Sequence, residues 1–101
     1  MLKLATQTLT LDRIKIKGNI IRLTRGLEIV IEHDDDRLVL SNEEFGLLVS
    51  SPTLDGGISG ISEELDALFL VYVDESPKKL TKDALILRKN LQSLVPEGAN
   101  A

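Results

Sequence analysis

The fold is decided by the stretch from Arg13 to Leu23, which reads RIKIKGNIIRL. Aliphatic residues alternate with polar ones on both sides of Gly18-Asn19, a pattern typical of two antiparallel strands joined by a two-residue turn. Closing the hairpin on this turn predicts that its four alternating aliphatic side chains share one buried face. The same register sets Lys15 opposite Arg22 on the outer face, where like charges repel unless a carboxylate lies nearby.

Further strands extend the hairpin in both directions. A three-residue loop, Thr24 to Gly26, predicts a strand from Glu28 to Glu32 whose first residue lies beside Arg22. The turn-like residues His33 to Asp36 then predict a fourth strand, from Arg37 to Leu40. Thr6 to Leu11 could add another, so the meander should have about four or five strands.

The middle of the chain mixes helix and loop signals. Ser41-Asn42-Glu43-Glu44 has the spacing of a capping box and predicts a helix that Pro52 limits near Ser50. Pro52 to Gly60 is rich in Gly and Ser and predicts a loop, followed by a short helix from Ile61 to Leu68. Phe69 to Val73 favours a central strand, with a continuation of that helix as the alternative.

The last element has clear helix boundaries. Ser76 suits an N-cap, Pro77 suits the first helical position, and Pro96-Glu97-Gly98 ends the segment. Its leucines form a stripe of two heptads, which is too short to indicate a coiled coil. Apolar residues off the stripe imply a second contact, and we expect the helix to contribute Leu85, Ile86, Leu87, Leu91 and Leu94 to a homodimer interface.

Together these elements predict an α+β domain, with a C-terminal amphipathic helix packed on an antiparallel meander. We expect one domain spanning residues 1-101. Its parts would be a meander (1-40), an acidic segment of helix, loop and strand (41-75), a C-terminal helix (76-95) and a flexible tail (96-101).

Composition narrows the class of protein. The chain has no cysteine, which excludes disulfides, zinc-thiolate sites and a thiolate nucleophile. The start shows no signal peptide, because Lys3 and three polar residues interrupt its apolar positions. The longest apolar run, Ala67 to Val73, is far shorter than the roughly 18 to 20 residues of a membrane span. These features predict a soluble, cytoplasmic protein that does not engage a membrane.

Charge is segregated along the chain. Residues 1-27 carry six Lys or Arg against Asp12, residues 28-75 carry 13 acids against Arg37, and residues 76-101 carry five bases against two acids. The net charges are therefore +5, -12 and +3 within a total of -4. Either these blocks neutralise each other or they face different partners.

Motifs for a metal, cofactor or catalytic site are weak. His33, Asp34 and Asp36 offer the ligand types that divalent cations accept, but their spacing fits neither an EF-hand nor a zinc site. Asp55 to Gly60 resembles a phosphate loop in composition only, since its glycines fit no nucleotide-binding spacing. A serine triad would have to recruit the only histidine from an acidic turn. We therefore expect no cofactor and a protein that is not an enzyme.

Nucleic-acid binding is the main alternative suggested by the charges. Arg13, Lys15, Lys17 and Arg22 could follow phosphates along one face of the hairpin. The acidic total and the presence of only three aromatic residues argue against it. Neutralisation by the acidic middle segment explains the same residues and is the interpretation that we favour.

The sequence thus predicts a non-enzymatic protein-interaction or regulatory module that acts as a homodimer or binds another protein. The alternatives are a nucleic-acid-binding regulator that uses the hairpin Arg13-Arg22, and a divalent-metal or enzymatic site around His33-Asp36.

Overall fold

The computed structural model describes residues 6–96 and has a four-stranded antiparallel sheet with helices packed on it. The strands are β1 (Gln7–Ile16), β2 (Asn19–Asp34), β3 (Arg37–Asn42) and β4 (Leu47–Ser51), which lie in the order β1-β2-β3-β4. The helices are α1 (Leu54–Leu68), which continues into a π-helical turn (Phe69–Val73), and α2 (Lys82–Leu94), which follows a 3-10 turn (Pro77–Lys79). The predicted α+β meander with a C-terminal helix is confirmed, and the predicted strand at Thr6–Leu11 is the first half of β1. Apart from Pro96, the predicted flexible tail lies outside the described residues.

The turn between β1 and β2 is centred on Lys17-Gly18, so the predicted turn at Gly18-Asn19 is wrong by one residue. Both turn residues have positive φ, 52° for Lys17 and 82° for Gly18, as two-residue type I′ turns require. The Lys17 backbone N–H donates to Asp66 Oδ1 at 3.1 Å, which holds this non-glycine residue in its unusual conformation. The shift preserves the alternation of the strands, so Ile14 and Ile16 remain buried.

The new register changes the cross-strand partners on the outer face. Arg22 lies opposite Arg13, and Lys15 lies opposite Ile20, so the predicted Lys15–Arg22 pair does not form. Glu28 lies opposite Thr10 instead of beside Arg22. A like-charged cross-strand pair therefore still forms, with Arg13 in place of Lys15 opposite Arg22.

β2 is one continuous strand of 16 residues, so the predicted loop at Thr24–Gly26 and the separate strand Glu28–Glu32 are wrong. Its pairing with β1 shifts between Leu11 and Arg13, which leaves Leu23 to Gly26 as a bulge opposite Asp12. Gly26 does not take a left-handed conformation there. Its missing side chain makes room for the Thr10 methyl group of the neighbouring strand.

The predicted capping-box helix at Ser41–Glu44 is also wrong, because these residues end β3 and turn into β4. The buried Asn42 accepts a hydrogen bond from Phe45 N–H at 2.9 Å and donates another to the Glu28 carbonyl at 2.9 Å. Gly46, with φ of 65°, completes the reversal. An Asx-type turn uses the same donor–acceptor spacing as a helix cap, and here the pairing of β3 with β4 selects the turn.

The segment predicted as a loop, Pro52 to Gly60, contains the start of α1. Thr53 is the N-cap, and its hydroxyl accepts from Gly56 N–H at 3.1 Å. Gly57 is buried so close to the sheet that a Cβ atom there would lie 2.6 Å from Leu40 Cδ1. The glycine therefore disfavours the helix locally but allows the helix to pack closely on the sheet.

Phe69–Val73 is a π-helical turn and not the predicted central strand. It continues α1 without a break, which is the alternative that the sequence left open. Phe69 is fully buried, as are Ile61 and Leu65 before it. These three buried residues are each four positions apart, a spacing that suits a helix whose last turn widens into a π-helix.

The C-terminal helix begins later than predicted. Thr81, and not Ser76, is its N-cap and accepts a hydrogen bond from Ala84 N–H at 3.2 Å. Leu80 is extended and separates the 3-10 turn from α2. α2 packs against the π-helical turn and β2, with Leu91 and Leu94 fully buried in the core. Within residues 6–96, no helix is long and apolar enough to cross a membrane.

Candidate interaction surfaces

The residues predicted for a homodimer interface divide into two groups. Leu91 and Leu94 are fully buried within the protomer and have no surface to offer a partner, whereas Leu87 packs against the core and is only partly buried. Leu85 is 39% exposed and Ile86 is 55% exposed. Leu85 and Ile86 are therefore the main candidates for direct contact with a partner, and Leu91 and Leu94 are excluded.

The π-helical turn adds apolar surface that the sequence pattern does not predict. Leu70 is 65% exposed and Val71 is 53% exposed. The apolar run around them predicts a buried strand. The signal that could have located them is the spacing of Ile61, Leu65, Phe69 and Val73, which marks one buried helical stripe and leaves Leu70 and Val71 outside it.

These exposed residues belong to two elements that touch each other. The Arg88 guanidinium of α2 donates to the Val73 carbonyl at 3.3 Å, at the end of the π-helical turn. Leu85 lies one turn before Arg88 on the same side of α2. We refer to the four exposed aliphatic residues on the two elements as the helical apolar patch: Leu70, Val71, Leu85 and Ile86.

Opposite charges flank the two halves of this patch. Lys82 and Lys89 are exposed on the same side of α2 as Leu85 and Ile86, three or four residues away from them. On α1, Glu63 precedes Leu70 by seven residues, and Asp66 precedes it by four, so both lie on its side of the helix. Asp83 is also exposed three residues before Ile86, and Lys17 borders Leu70, so each margin carries both signs, with cations in excess on α2 and acids in excess on α1.

The predicted neutralisation of the basic hairpin occurs at one of its four cations. Lys17 Nζ lies 2.9 Å from Asp74 Oδ2, in addition to the backbone hydrogen bond to Asp66. Nearby in β2, Arg25 makes a two-point contact with the Glu44 carboxylate at 2.8 and 3.1 Å and lies over the Phe45 ring. The acidic middle segment therefore binds selected cations of the basic segment within one subunit.

The other three hairpin cations lie on the outer face of the ribbon. Arg13, Lys15 and Arg22 are all exposed. Arg13 approaches its own neighbour Asp12 at 3.8 Å, and both side chains are largely solvent-exposed. Among residues 6–96, no carboxylate lies within salt-bridge distance of Lys15 or Arg22.

A cleft of about 470 Å³ lies between the hairpin tip and α1. Three carboxylates, two serines and one ammonium group contribute to its lining: Asp55, Glu63, Asp66, Ser59, Ser62 and Lys15. The serines have no histidine beside them, since the only histidine of the chain is in the β2–β3 hairpin. The cleft offers a mixed polar surface without a nucleophile paired to a base.

The weak metal candidates lie at the end of the β2–β3 hairpin and are exposed. His33 pairs with Leu38, and Asp34 pairs with Arg37 across the turn that contains Asp36. In the part of the chain that the structure describes, no three His, Asp or Glu side chains converge on a point where they could hold a metal ion.

Comparison of the chain with protein-family models, with curated proteins and with solved structures finds no match.

Proposed function

We propose that this protein is a non-enzymatic interaction module that acts as a homodimer through the helical apolar patch. The observation that carries the proposal is the exposure of four large aliphatic side chains on two elements that contact each other. Single exposed aliphatic residues are common on protein surfaces, whereas clustered ones are typical of interaction sites.

The backbone under the patch supports the same proposal. Leu70 and Val71 are in the π-helical turn, and π-helical turns occur frequently at functional sites. The wider turn keeps Phe69 and Val73 in the core while Leu70 and Val71 between them face solvent. A regular sheet strand at this position would have buried both faces.

The charges at the margins favour a second copy of the chain as the partner. In a two-fold symmetric dimer each surface meets its own copy, so a self-complementary surface must carry both signs of charge. Lys89 of one copy would approach Glu63 of the other, and the symmetry axis would repeat this contact. The aliphatic side chains would then be removed from water at the centre, with the charged residues at the rim.

The first experiment measures the mass of the intact chain by size-exclusion chromatography with light scattering. We expect a dimer at micromolar concentration, and we expect Ile86→Glu or Val71→Glu to produce a monomer that circular dichroism shows to be folded. Burying an aliphatic side chain contributes about 1.5–3 kcal/mol, and the change occurs in both copies, so the dissociation constant of the dimer should rise at least tenfold.

Ile20→Glu is the matched control, because Ile20 is 74% exposed but lies in β2, outside the two elements that carry the patch. This variant should remain dimeric. A monomeric wild-type chain at tens of micromolar would overturn the homodimer, and dissociation by Ile20→Glu as complete as that by Ile86→Glu would overturn the choice of surface.

The second experiment tests the charge pattern with two single variants, Lys89→Glu and Glu63→Lys. Each variant alone repeats a like-charge contact twice and should dimerise less well than the wild type. When the two are mixed, both contacts regain opposite charges, so the mixed dimer should form in preference to either homodimer. Native mass spectrometry would resolve the species, and a statistical mixture would contradict the proposed pairing.

A further inference from the structure

The outer face of the β1–β2 hairpin has a surface unlike that of the helical patch. It consists of three cations and one aliphatic residue, all exposed: Arg13, Lys15, Arg22 and Ile20. We refer to these residues as the basic ribbon face. The opposite face of the same ribbon carries Ile14 and Ile16, which are buried in the core. Lys17 at the tip contacts Asp66 of α1 and Asp74 at the end of the π-helical turn. These contacts hold the basic ribbon face in a fixed position relative to the rest of the protein.

The cations of β1, β2 and the turn between them fall into two groups, those that form close ion pairs and those that do not. Lys17 and Arg25 contact carboxylates at 2.8–2.9 Å, whereas Lys15 and Arg22 contact none among residues 6–96. Lys15 borders the cleft that Asp55, Glu63 and Asp66 line but forms no ion pair with them. Ion pairs among residues 6–96 therefore do not account for Lys15 and Arg22, and Arg13 has only its exposed 3.8 Å contact with Asp12.

The arrangement of the two arginines also favours a bound anion. Arg13 and Arg22 are direct cross-strand partners, which brings their Cβ atoms to within about 5 Å of each other. Like charges in such a pair destabilise a sheet. A phosphate group between the two guanidinium groups would remove the repulsion, since Arg donates in a planar fork that matches phosphate oxygens.

The shape and composition of the face indicate the kind of polyanion. A two-stranded ribbon fits the major groove of B-form DNA, which is about 12 Å wide. Single-stranded nucleic acids are bound largely by stacking on exposed aromatic side chains. Here Phe45 and Phe69 are buried and Tyr72 is only half-exposed, so the face lacks a stacking platform. Ile20 can instead contact sugars or thymine methyl groups.

We propose that the basic ribbon face binds double-stranded DNA, with Arg13 and Arg22 holding one phosphate and Lys15 a neighbouring one. The carboxylates of the cleft beside Lys15 repel phosphate and confine the duplex to the outer face. This binding is independent of the helical apolar patch. A dimer would present two such faces.

The experiment is a fluorescence-anisotropy titration of a labelled, mixed-sequence duplex of roughly 20 base pairs, about two helical turns, with the intact chain. Two neutralised phosphates predict a salt slope near -1.8, so affinity should fall roughly 12-fold between about 50 and 200 mM salt. Arg13→Glu and Arg22→Glu should each weaken binding at least tenfold and reduce the slope by about one.

Lys78→Glu is the matched control, because it makes the same change in net charge at an exposed residue of the 3-10 turn. Its affinity should stay within twofold of the wild type. Circular dichroism checks the fold of each variant, and Arg13→Gln and Arg22→Gln replace any glutamate variant that does not fold. Ile86→Glu should bind each duplex site as the wild type does, which separates this proposal from the homodimer.

Three results would overturn the proposal. The first is no anisotropy change at low salt up to roughly 100 µM protein, the weak end of non-specific DNA binding. The second is an equal loss in Lys78→Glu and Arg22→Glu, which would show only a net-charge effect. The third is stronger binding to a single strand, or to vesicles containing phosphatidylserine, than to the duplex.

Discussion

The β3–β4 turn and the start of α1 use the same local hydrogen bond for different structures. In the turn, Asn42 Oδ1 accepts from Phe45 N–H at 2.9 Å, and at the helix start, Thr53 Oγ1 accepts from Gly56 N–H at 3.1 Å. Each side chain thus bonds a backbone amide three residues later. The chain reverses direction after the first and continues as a helix after the second.

The two structures diverge at the residue after the shared bond. After Phe45, Gly46 takes positive φ and directs Leu47 back along β3. After Gly56, the Gly57 N–H donates to the Thr53 carbonyl at 3.0 Å, which closes the first helical turn. A side-chain cap is therefore compatible with both outcomes. Whether a turn or a helix follows the cap depends on which part of the protein can bury the residues after it.

The largest expected effect in this comparison belongs to Asn42→Ala. The substitution removes both hydrogen bonds of a buried side chain and leaves the Glu28 carbonyl without its partner, which should lower the free energy of unfolding by about 1–3 kcal/mol. Urea denaturation followed by circular dichroism measures the change. Ser41→Ala, at the neighbouring position, is the control and should cost less than about 0.5 kcal/mol. Equal losses in the two variants would mean that Asn42 does not organise the turn.

A smaller effect is expected for Gly57→Ala in α1. The added methyl group would lie 2.6 Å from the side chain of Leu40, which is fully buried and has little room to move. Overpacking of this kind costs about 1–3 kcal/mol, and the better helix propensity of alanine returns up to about 1 kcal/mol. We expect a net loss of about 1–2 kcal/mol in chemical denaturation.

Ser59→Ala is the control for this substitution, since Ser59 is in the same helix but exposed. It should leave the stability unchanged or raise it slightly. If Gly57→Ala stabilised the protein by as much as Ser59→Ala, close packing of α1 on Leu40 would not explain the glycine.

The smallest of the three effects is expected at the helix cap. Thr53→Ala removes the N-cap hydroxyl and should cost about 1 kcal/mol, and Thr53→Asp should restore the loss because aspartate caps helices well. Thermal unfolding of the three chains gives the comparison. The reverse ranking, with Ser41→Ala more harmful than Thr53→Ala, would place the working cap at Ser41.

The sequence predicted the elements whose pattern is periodic. Alternation around Ile14 and Ile16 identified the buried face of the hairpin, and the leucine spacing identified the C-terminal helix as amphipathic. It also singled out Leu85 and Ile86 as extra apolar surface. These predictions succeeded because an alternating or helical period is a property of neighbouring residues alone. The assignment of Leu91 and Leu94 to a homodimer interface was wrong, because both are buried in the core of the protomer.

The remaining errors have causes that lie far away in the sequence. Asp66 and Asp74 hold Lys17 in the turn, which moves the hairpin register relative to a turn at Gly18-Asn19. Gly57 packs closely against the Leu40 side chain, and this packing favours a helix in a stretch whose local propensity favours a loop. Leu70 and Val71 are exposed because α1 continues as a helix through them.

By itself, the sequence determined the class of the fold, the buried faces of its periodic elements and the segregation of charge. Only the tertiary structure decided which cations are neutralised. Arg25 meets Glu44 across 19 residues, while Arg22, three residues earlier, faces Arg13 and solvent. The physical reason is that hydrophobic periods are encoded locally, whereas turn register, close packing and ion pairing depend on partners that the folded chain brings together.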